Sequence, residues 1–309
     1  MTYLSMIFFQ IVAPILILLI IGAILQKKFK FNLKALSHLI TYCFMPVAVF
    51  MNLYETSVNL NVLTQVAIFI FLFIGANIIL SHYIAKLLKL NRTESAVFKN
   101  SVVLINSGNY GIPVAQLVFQ TQPIGVAIQV ILVIFQNVTT YTYGLYNLIS
   151  ATKSGIEIVK DFVKMPILHA LIIGVSLNIL NIKLPETLVI PLNHIADGFI
   201  AIALITLGAQ LSQIEIRTII NKTIIISCFT RLIVGPALAL LVIWILGLEG
   251  VVAQSLFIAS AFPTSRNSSS LALEYDVESN IAAQTVLFST IVSCLTVTFV
   301  IYLSTILFG

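Results

Sequence analysis

Charged residues are scarce in this sequence. Asp, Glu, Lys and Arg together make up 9% of its 309 residues, whereas a soluble domain contains about 25%. Cysteine is scarce as well, and Cys43, Cys228 and Cys294 are widely separated within apolar runs, where cysteine behaves as a small hydrophobic residue. The first shortage excludes a soluble globular domain. The second gives no support to a disulfide framework or a metal site.

Other patterns are missing too. No Lys or Arg precedes Lys27, so the first apolar run lacks the basic region of a cleaved secretory signal and is interpreted as a retained span. The chain has no nucleotide-binding loop, which argues against a pump driven by ATP. Its net charge of +5 is confined to short loops and does not indicate nucleic-acid binding. The four histidines show no metal-ligand spacing, and no cofactor or metal is expected.

What the sequence has instead is a series of long apolar runs. Hydrophobic residues make up 59% of the chain, and a helix of about 20 apolar residues crosses the hydrocarbon core of a bilayer. We predict an all-α integral membrane protein with ten transmembrane helices. The predicted spans are residues 6–26, 35–53, 62–89, 95–120, 124–148, 165–181, 190–211, 218–246, 250–273 and 280–307.

The basic residues indicate the orientation in the cell membrane. Thirteen of the 16 Lys and Arg residues lie in or next to the loops that follow spans one, three, five and seven, and Lys183 alone lies in a loop on the opposite side. Positive charge marks cytoplasmic loops. These four loops are therefore predicted to be cytoplasmic, which puts both termini on the non-cytoplasmic side.

The chain also repeats itself. Pro14 to Gly22 and Pro166 to Gly174 agree at seven of nine positions, 152 residues apart. Each half then holds five spans, an odd number, so the halves must lie in the membrane with opposite orientations. This inverted 5+5 repeat is typical of secondary transporters. We assign 1–150 to the first repeat, 151–164 to a cytoplasmic linker and 165–309 to the second repeat.

Two polar stretches interrupt apolar spans. Residues 106–113 place two glycines, two asparagines and a proline in span four, and residues 261–270 place Pro263 and several polar side chains in span nine. A broken helix at membrane depth is tolerated only beside protein or a water-filled cavity. Its freed N–H groups attract anions and its freed carbonyls attract cations. Such breaks in matching halves indicate a substrate site; the alternative is a pair of kinks that only shape packing.

Two arginines lie inside predicted spans, where a charged side chain is a functional-site hypothesis. Arg231 is about thirteen residues into span eight, which is near the midplane at 1.5 Å per residue. It either faces the site and neutralises an anion, or pairs with Asp197 or with backbone carbonyls. Arg266 either binds an anion at the second break, snorkels to the cytoplasmic edge, or pairs with Glu274 or Asp276.

Most of the candidate site residues lie in or near the two interruptions, and they include the two arginines. Substrate contacts are expected from Asn106, Ser107, Asn109, Tyr110, Arg231, Thr264, Arg266, Asn267 and Ser268. The positions at which the broken helices cross are Gly108, Gly111, Pro113 and Pro263. A coupling proton or sodium ion is a candidate ligand of Asn106, Gln136 and Asn137, although Gln136 and Asn137 equally suit hydrogen bonds to neighbouring helices.

At these residues the chain resembles the auxin efflux carrier family, which includes plant PIN-type carriers and bacterial permeases for malate or malonate. The most specific element is the run from Asn106 to Pro113, which is similar to the family's Asn-x-Gly-Asn-x-Gly-x-Pro signature. Pro46, Gly208, the run from Arg231 to Pro236, and Pro263 support it. The long central cytoplasmic loop of many plant PIN carriers is missing here, so regulation through that loop is not expected.

The resemblance implies an architecture and a function. Helices four and nine would cross at Pro113 and Pro263, spans 1, 2, 6 and 7 would form a scaffold, and spans 3–5 and 8–10 would form a moving transport domain. The scaffold would join two chains in a homodimer, and an elevator-like shift would carry small organic acids across the membrane.

We therefore expect a secondary transporter of small carboxylates rather than an enzyme. A related architecture recurs in sodium/bile acid symporters, so the alternative is a sodium-coupled symporter of bulkier amphipathic anions. An intramembrane enzyme acting on a lipid-linked substrate and a passive channel are more distant alternatives.

Overall fold

The computed structural model describes residues 8–55, 60–148, 166–214 and 221–309, and these residues are helical apart from short connections. The predicted all-α class is confirmed, whereas the linker predicted at 151–164 lies outside the described residues. The α-helices are α1 (Ala13–Phe29), α2 (Leu33–Leu39), α3 (Met45–Glu55), α4 (Leu60–Leu87), α5 (Arg92–Val103), α6 (Ile112–Val118), α7 (Pro123–Thr139), α8 (Leu145–Leu148), α9 (Pro166–Ile179), α10 (Glu186–Leu211), α11 (Lys222–Phe229), α12 (Gly235–Leu246), α13 (Gly250–Ser260), α14 (Arg266–Glu274) and α15 (Ser279–Phe308).

Within the described residues, six helical stretches are long and apolar enough to cross a membrane, and they match predicted spans two, three, five, seven, eight and ten. They are Leu33–Glu55, Asn61–Leu87, Pro123–Leu148, Glu186–Leu211, Lys222–Leu246 and Ser279–Phe308. Predicted spans four and nine are each divided into two shorter helices, because the chain breaks between α5 and α6 and again between α13 and α14. Predicted spans one and six correspond to α1 and α9, which have 17 and 14 residues.

Wide helical turns of the π type precede four of the prolines. These turns span Phe8–Val12, Ile40–Phe44, Ser107–Gly111 and Thr230–Val234, and each ends two residues before a proline, namely Pro14, Pro46, Pro113 and Pro236. Proline has no N–H, and its ring collides with the carbonyl four residues earlier. That carbonyl lies in the middle of the π turn in every case, so the wider turn relieves the collision. The prolines therefore fix where these helices bend.

Glycines allow the closest helix contacts. A Cβ atom at Gly22 of α1 would lie 1.9 Å from the carbonyl oxygen of Ile205, and one at Gly208 of α10 would lie 2.0 Å from the carbonyl oxygen of Leu19. A Cβ atom at Gly174 of α9 would lie 3.0 Å from the carbonyl oxygen of Phe50 in α3. Small residues of this kind let membrane helices approach backbone to backbone. Helices α1 and α10 form one closely packed pair, and α9 and α3 form another.

The largest buried cluster surrounds the two helix breaks. It joins side chains of α4, α7, α13 and α15, for example Phe69, Ile128, Phe257 and Val297, with Tyr110 from the first break. Apolar packing on several sides therefore holds the two broken stretches in place. The polar groups of the breaks must find partners in one another or in side chains, because lipid and apolar protein provide none.

Candidate functional site

The two helix breaks pair with each other through the main chain. The amide of Asn106 donates to the carbonyl oxygen of Pro263 at 2.9 Å, and the amide of Ser265 donates to the carbonyl oxygen of Leu104 at 2.7 Å. Between these bonds, Ile105 faces a residue of the second break, Thr264, as an isolated antiparallel bridge. Each break thus satisfies backbone groups that the other has freed from its helix.

Arg231 forms hydrogen bonds to both of the helix ends that precede the breaks. Its guanidinium is fully buried, donates from Nη1 to the carbonyl oxygen of Val102 at 2.7 Å, and donates from Nη2 to the carbonyl oxygen of Ser260. Val102 lies in the last turn of α5, and Ser260 is the last residue of α13. The ring centroid of Phe73 lies 5.7 Å from the guanidinium carbon. This geometry favours carbonyl pairing over the expected substrate contact.

A cavity of about 150 Å³ lies beside the paired breaks. Eight of the expected site residues line it: Asn106, Ser107, Gly108, Asn109, Gln136, Asn137, Arg266 and Asn267. Six lining residues were not expected: Thr41, Met45, Ile105, Val133, Pro166 and Ser265. Thr41 lies in the π turn between α2 and α3, and Met45 is the first residue of α3, so a helical stretch outside the two breaks closes this side of the cavity.

Several buried polar atoms of the residues that line this cavity have no hydrogen-bond partner within the described part of the chain. They are Nδ2 of Asn106, Oγ of Ser107 and Oδ1 of Asn109. A buried polar group without a partner costs about 1–3 kcal/mol. The arrangement is therefore suited to a polar ligand that supplies the missing partners. Nδ2 and the hydroxyl of Ser107 are donors, so they suit an acceptor such as a carboxylate oxygen.

Arg266 provides the charge of the cavity. It is half-buried and is the first residue of α14, whose N-cap Ser265 accepts from the amide of Asn267 at 3.2 Å. A cation at a helix N-terminus is unfavourable on its own and favours a bound anion. In the described residues Arg266 forms no ion pair, Asp276 included, and no Asp or Glu lines the cavity. The side chain of Glu274 lies outside the described residues.

A wider cavity of about 430 Å³ begins at the same arginine. Its lining combines Lys34, Ser37 and His38 of α2 with Gln210 of α10 and with Arg266. Lys34 belongs to a loop predicted to be cytoplasmic, so this cavity leads from Arg266 toward the face that carries Lys34. Arg266 therefore lies between the inner cavity and this wider opening.

The remaining expected contacts lie inside the protein. Thr264 donates through Oγ1 to the carbonyl oxygen of Ser101 at 2.8 Å, and Ser268 donates to the carbonyl oxygen of Ser265 at 2.8 Å. Gly111, Pro113 and Pro263 are buried in the wall of the breaks. At Gly111 a Cβ atom would lie 2.5 Å from Nε2 of Gln129, which donates to the carbonyl oxygen of Ser107 at 2.8 Å. These residues shape the breaks and do not line the cavity.

Tyr110 tests whether the buried residues of the breaks have a structural role and do not contact the ligand. It is fully buried, its hydroxyl accepts from Ser293 Oγ at 3.2 Å, and its ring packs edge-on against Phe262. We expect Tyr110→Phe to lower the free energy of unfolding by about 1 kcal/mol, as for one neutral hydrogen bond, and to leave ligand affinity unchanged. Thermal unfolding and ligand titration of the purified variant measure both quantities. A large loss of affinity would place the phenol at the ligand instead.

Comparison with known proteins gives a family. A family model described as "Membrane transport protein" matches residues 6–164 and 150–301. The chain is also similar to an uncharacterised transporter of Methanocaldococcus jannaschii, with 25% identity over 304 residues that cover 93% of this chain and 96% of the relative.

Proposed function

Because the chain belongs to the membrane transport protein family, which contains the auxin efflux carriers, we propose that it is a secondary transporter of small organic carboxylates across the cell membrane. One observation carries the proposal. Arg266, Asn106 and Ser107 line one cavity that no described carboxylate lines, and Asn106 and Ser107 each have a buried donor without a partner among the described residues.

The chemistry of these groups favours a carboxylate. A guanidinium presents two parallel N–H donors that match the two oxygens of a carboxylate. Asn106 Nδ2 and the Ser107 hydroxyl would donate to the same anion or to a second polar group of it. The N-terminus of α14 adds positive potential at the same position. Asn109 and Asn267 complete the polar wall of the cavity.

The size of the cavity favours small acids over the bulkier alternative. A cavity of about 150 Å³ holds a molecule of roughly benzene size, whereas sites for drug-sized ligands measure about 300–1,000 Å³. Acids with three or four carbons match the volume found here. An amphipathic anion with a fused ring system exceeds it and could reach Arg266 only from the wider cavity, whose lining does not include Asn106 or Ser107, which disfavours a symporter of the bile acid type.

We also propose the inverted 5+5 architecture and an elevator-like shift. The repeat equivalents Gly22 and Gly174 both approach a backbone carbonyl of a neighbouring helix, and the breaks at Pro113 and Pro263 pair directly. Both observations support two halves that cross. Close packing of α1 with α10 and of α9 with α3 supports a scaffold of spans 1, 2, 6 and 7, through which two chains would form a homodimer.

Counterflow in proteoliposomes tests the proposal. Vesicles loaded with unlabelled malonate or malate should accelerate uptake of the same labelled acid, because a carrier returns faster when loaded. Labelled lactate should be accepted, and taurocholate should not be transported, because the inner cavity is too small for it. Empty liposomes are the control. Uptake without counterflow would indicate a channel, chemical conversion of the label would indicate an enzyme, and preference for taurocholate would overturn the size argument.

A further inference from the structure

Two helices point their C-termini at the same buried place. Helices α5 and α13 end at Val103 and Ser260, immediately before the two breaks. The C-terminus of a helix carries roughly half a negative charge. Two such ends side by side therefore present about one negative charge in a buried part of the protein.

Arg231 balances this negative charge, so no mobile cation is needed beside the two helix ends. Its two Nη atoms donate to the carbonyl oxygens of Val102 and Ser260, one from each helix end. Arg231 is also the one charged residue that is fully buried in the described part of the chain, and none of the described Asp and Glu side chains is buried. One guanidinium thus matches the charge of the two helix ends.

The neighbouring carbonyls are occupied as well. Thr264 Oγ1 donates to the carbonyl oxygen of Ser101, and the amide of Ser265 donates to that of Leu104. A sodium ion requires several oxygen ligands, and in broken-helix transporters it takes them from unwound carbonyls and half-helix C-termini. Here those oxygens already accept hydrogen bonds from the protein. The cavity beside them contains Arg266 and no described carboxylate, which further disfavours a second cation.

We infer that Arg231 is a tethered replacement for a coupling cation: its guanidinium fills a carbonyl site between α5 and α13 that would bind a free monovalent cation if the side chain were removed. The cation site is inferred only from the contacts of Arg231 with the two helix ends. Its consequence for transport, that wild-type uptake needs no sodium, rests on the proposed function. Gln136, Asn137 and Asn106 then line the substrate cavity without holding a coupling ion.

The experiment compares Arg231→Ala with wild-type protein and with Arg92→Ala, which removes an exposed arginine at the start of α5. Thermal unfolding of each purified protein is followed while sodium chloride, potassium chloride or guanidinium chloride is raised through the millimolar range, with choline chloride as the salt control. We expect Arg231→Ala to unfold several degrees lower than wild type in choline, and guanidinium or an alkali cation to restore most of that loss. Wild type and Arg92→Ala should respond equally to all four salts.

Two results would overturn the inference: an Arg231→Ala protein as stable as wild type in choline, or a destabilised one that no cation restores. If Arg231→Ala does not fold, Arg231→Lys and Arg231→Gln replace it. In choline, Arg231→Lys should melt at a higher temperature than Arg231→Gln, and an added cation should remove this difference in melting temperature. A difference that persists in the presence of the cation would contradict the proposed cation site.

A second arm measures uptake of labelled malonate in proteoliposomes with sodium or choline on both sides. Equal wild-type rates support the consequence for coupling, and a sodium requirement contradicts it. If no carboxylate is taken up, the proposed function is rejected. The thermal unfolding of the Arg231 variants would still show whether the cation site exists.

Discussion

Arg266→Ala is expected to weaken binding of a small carboxylate by about 100-fold or more, since a charge-assisted bidentate pair contributes about 3 kcal/mol and each 1.4 kcal/mol is a factor of ten. Arg266 lines the inner cavity and has no ion-pair partner in the described residues, so no other described charge there would replace it. The measurements are the affinity for malonate by thermal shift or calorimetry and the Michaelis constant of uptake in proteoliposomes.

Two further variants show whether the loss of affinity is specific to the guanidinium of Arg266. Arg266→Lys keeps the charge but loses the planar fork, so it should retain part of the affinity. Arg92→Ala removes an exposed arginine from the first residue of α5, at the end of that helix opposite the first break, and should bind normally. If Arg266→Ala transports malonate with an unchanged Michaelis constant, the arginine is not a substrate ligand and the site assignment fails.

Gly208→Ala is expected to lower the stability of the protein strongly. The added Cβ would lie 2.0 Å from the carbonyl oxygen of Leu19 and 2.6 Å from its Cα. The atoms in its way are backbone atoms of α1, which cannot rotate aside, so the two helices must separate. We expect a loss above the usual 1–3 kcal/mol of an overpacked side chain, seen as a large drop in melting temperature and in the yield of folded protein.

The matched control is Gly75→Ala in α4. A Cβ atom there meets no other atom within 4 Å, and alanine is the better helix former by about 1 kcal/mol. This variant should be as stable as wild type or slightly more stable. Equal melting temperatures for Gly208→Ala and Gly75→Ala would show that α1 and α10 do not pack as closely as described.

The helix breaks could be predicted from the sequence because they depend on local chemistry. Glycine, proline and asparagine stop a membrane helix wherever they cluster, so residues 106–113 and 261–270 were recognisable without a structure. Six long apolar helices were recognisable for the same reason. Asn106, Asn109 and Arg266 were accessible to sequence reasoning because each is a polar residue inside or beside a break.

Other features depend on three-dimensional packing and could not be read from the sequence. The sequence places Arg231 inside a predicted span, but it does not say which way the side chain faces, and this direction decides whether the guanidinium meets a substrate or the carbonyl oxygens of Val102 and Ser260. Thr41 and Met45 reach the cavity from a different helical stretch, and neither residue type stands out in a membrane helix. Tyr110 was expected at the site because of its position in the motif, whereas its ring fills the core.

The backbone pairing of the two breaks has a kinetic consequence. Two main-chain hydrogen bonds and the Arg231 clamp make the paired breaks one rigid unit. In an elevator-type movement this unit would present Asn106, Ser107 and Arg266 unchanged to both sides of the membrane, while the contacts with Thr41, Met45 and Pro166 would be left behind. The ratio of the Michaelis constants for entry and exit would then measure what the stationary helices contribute to substrate affinity.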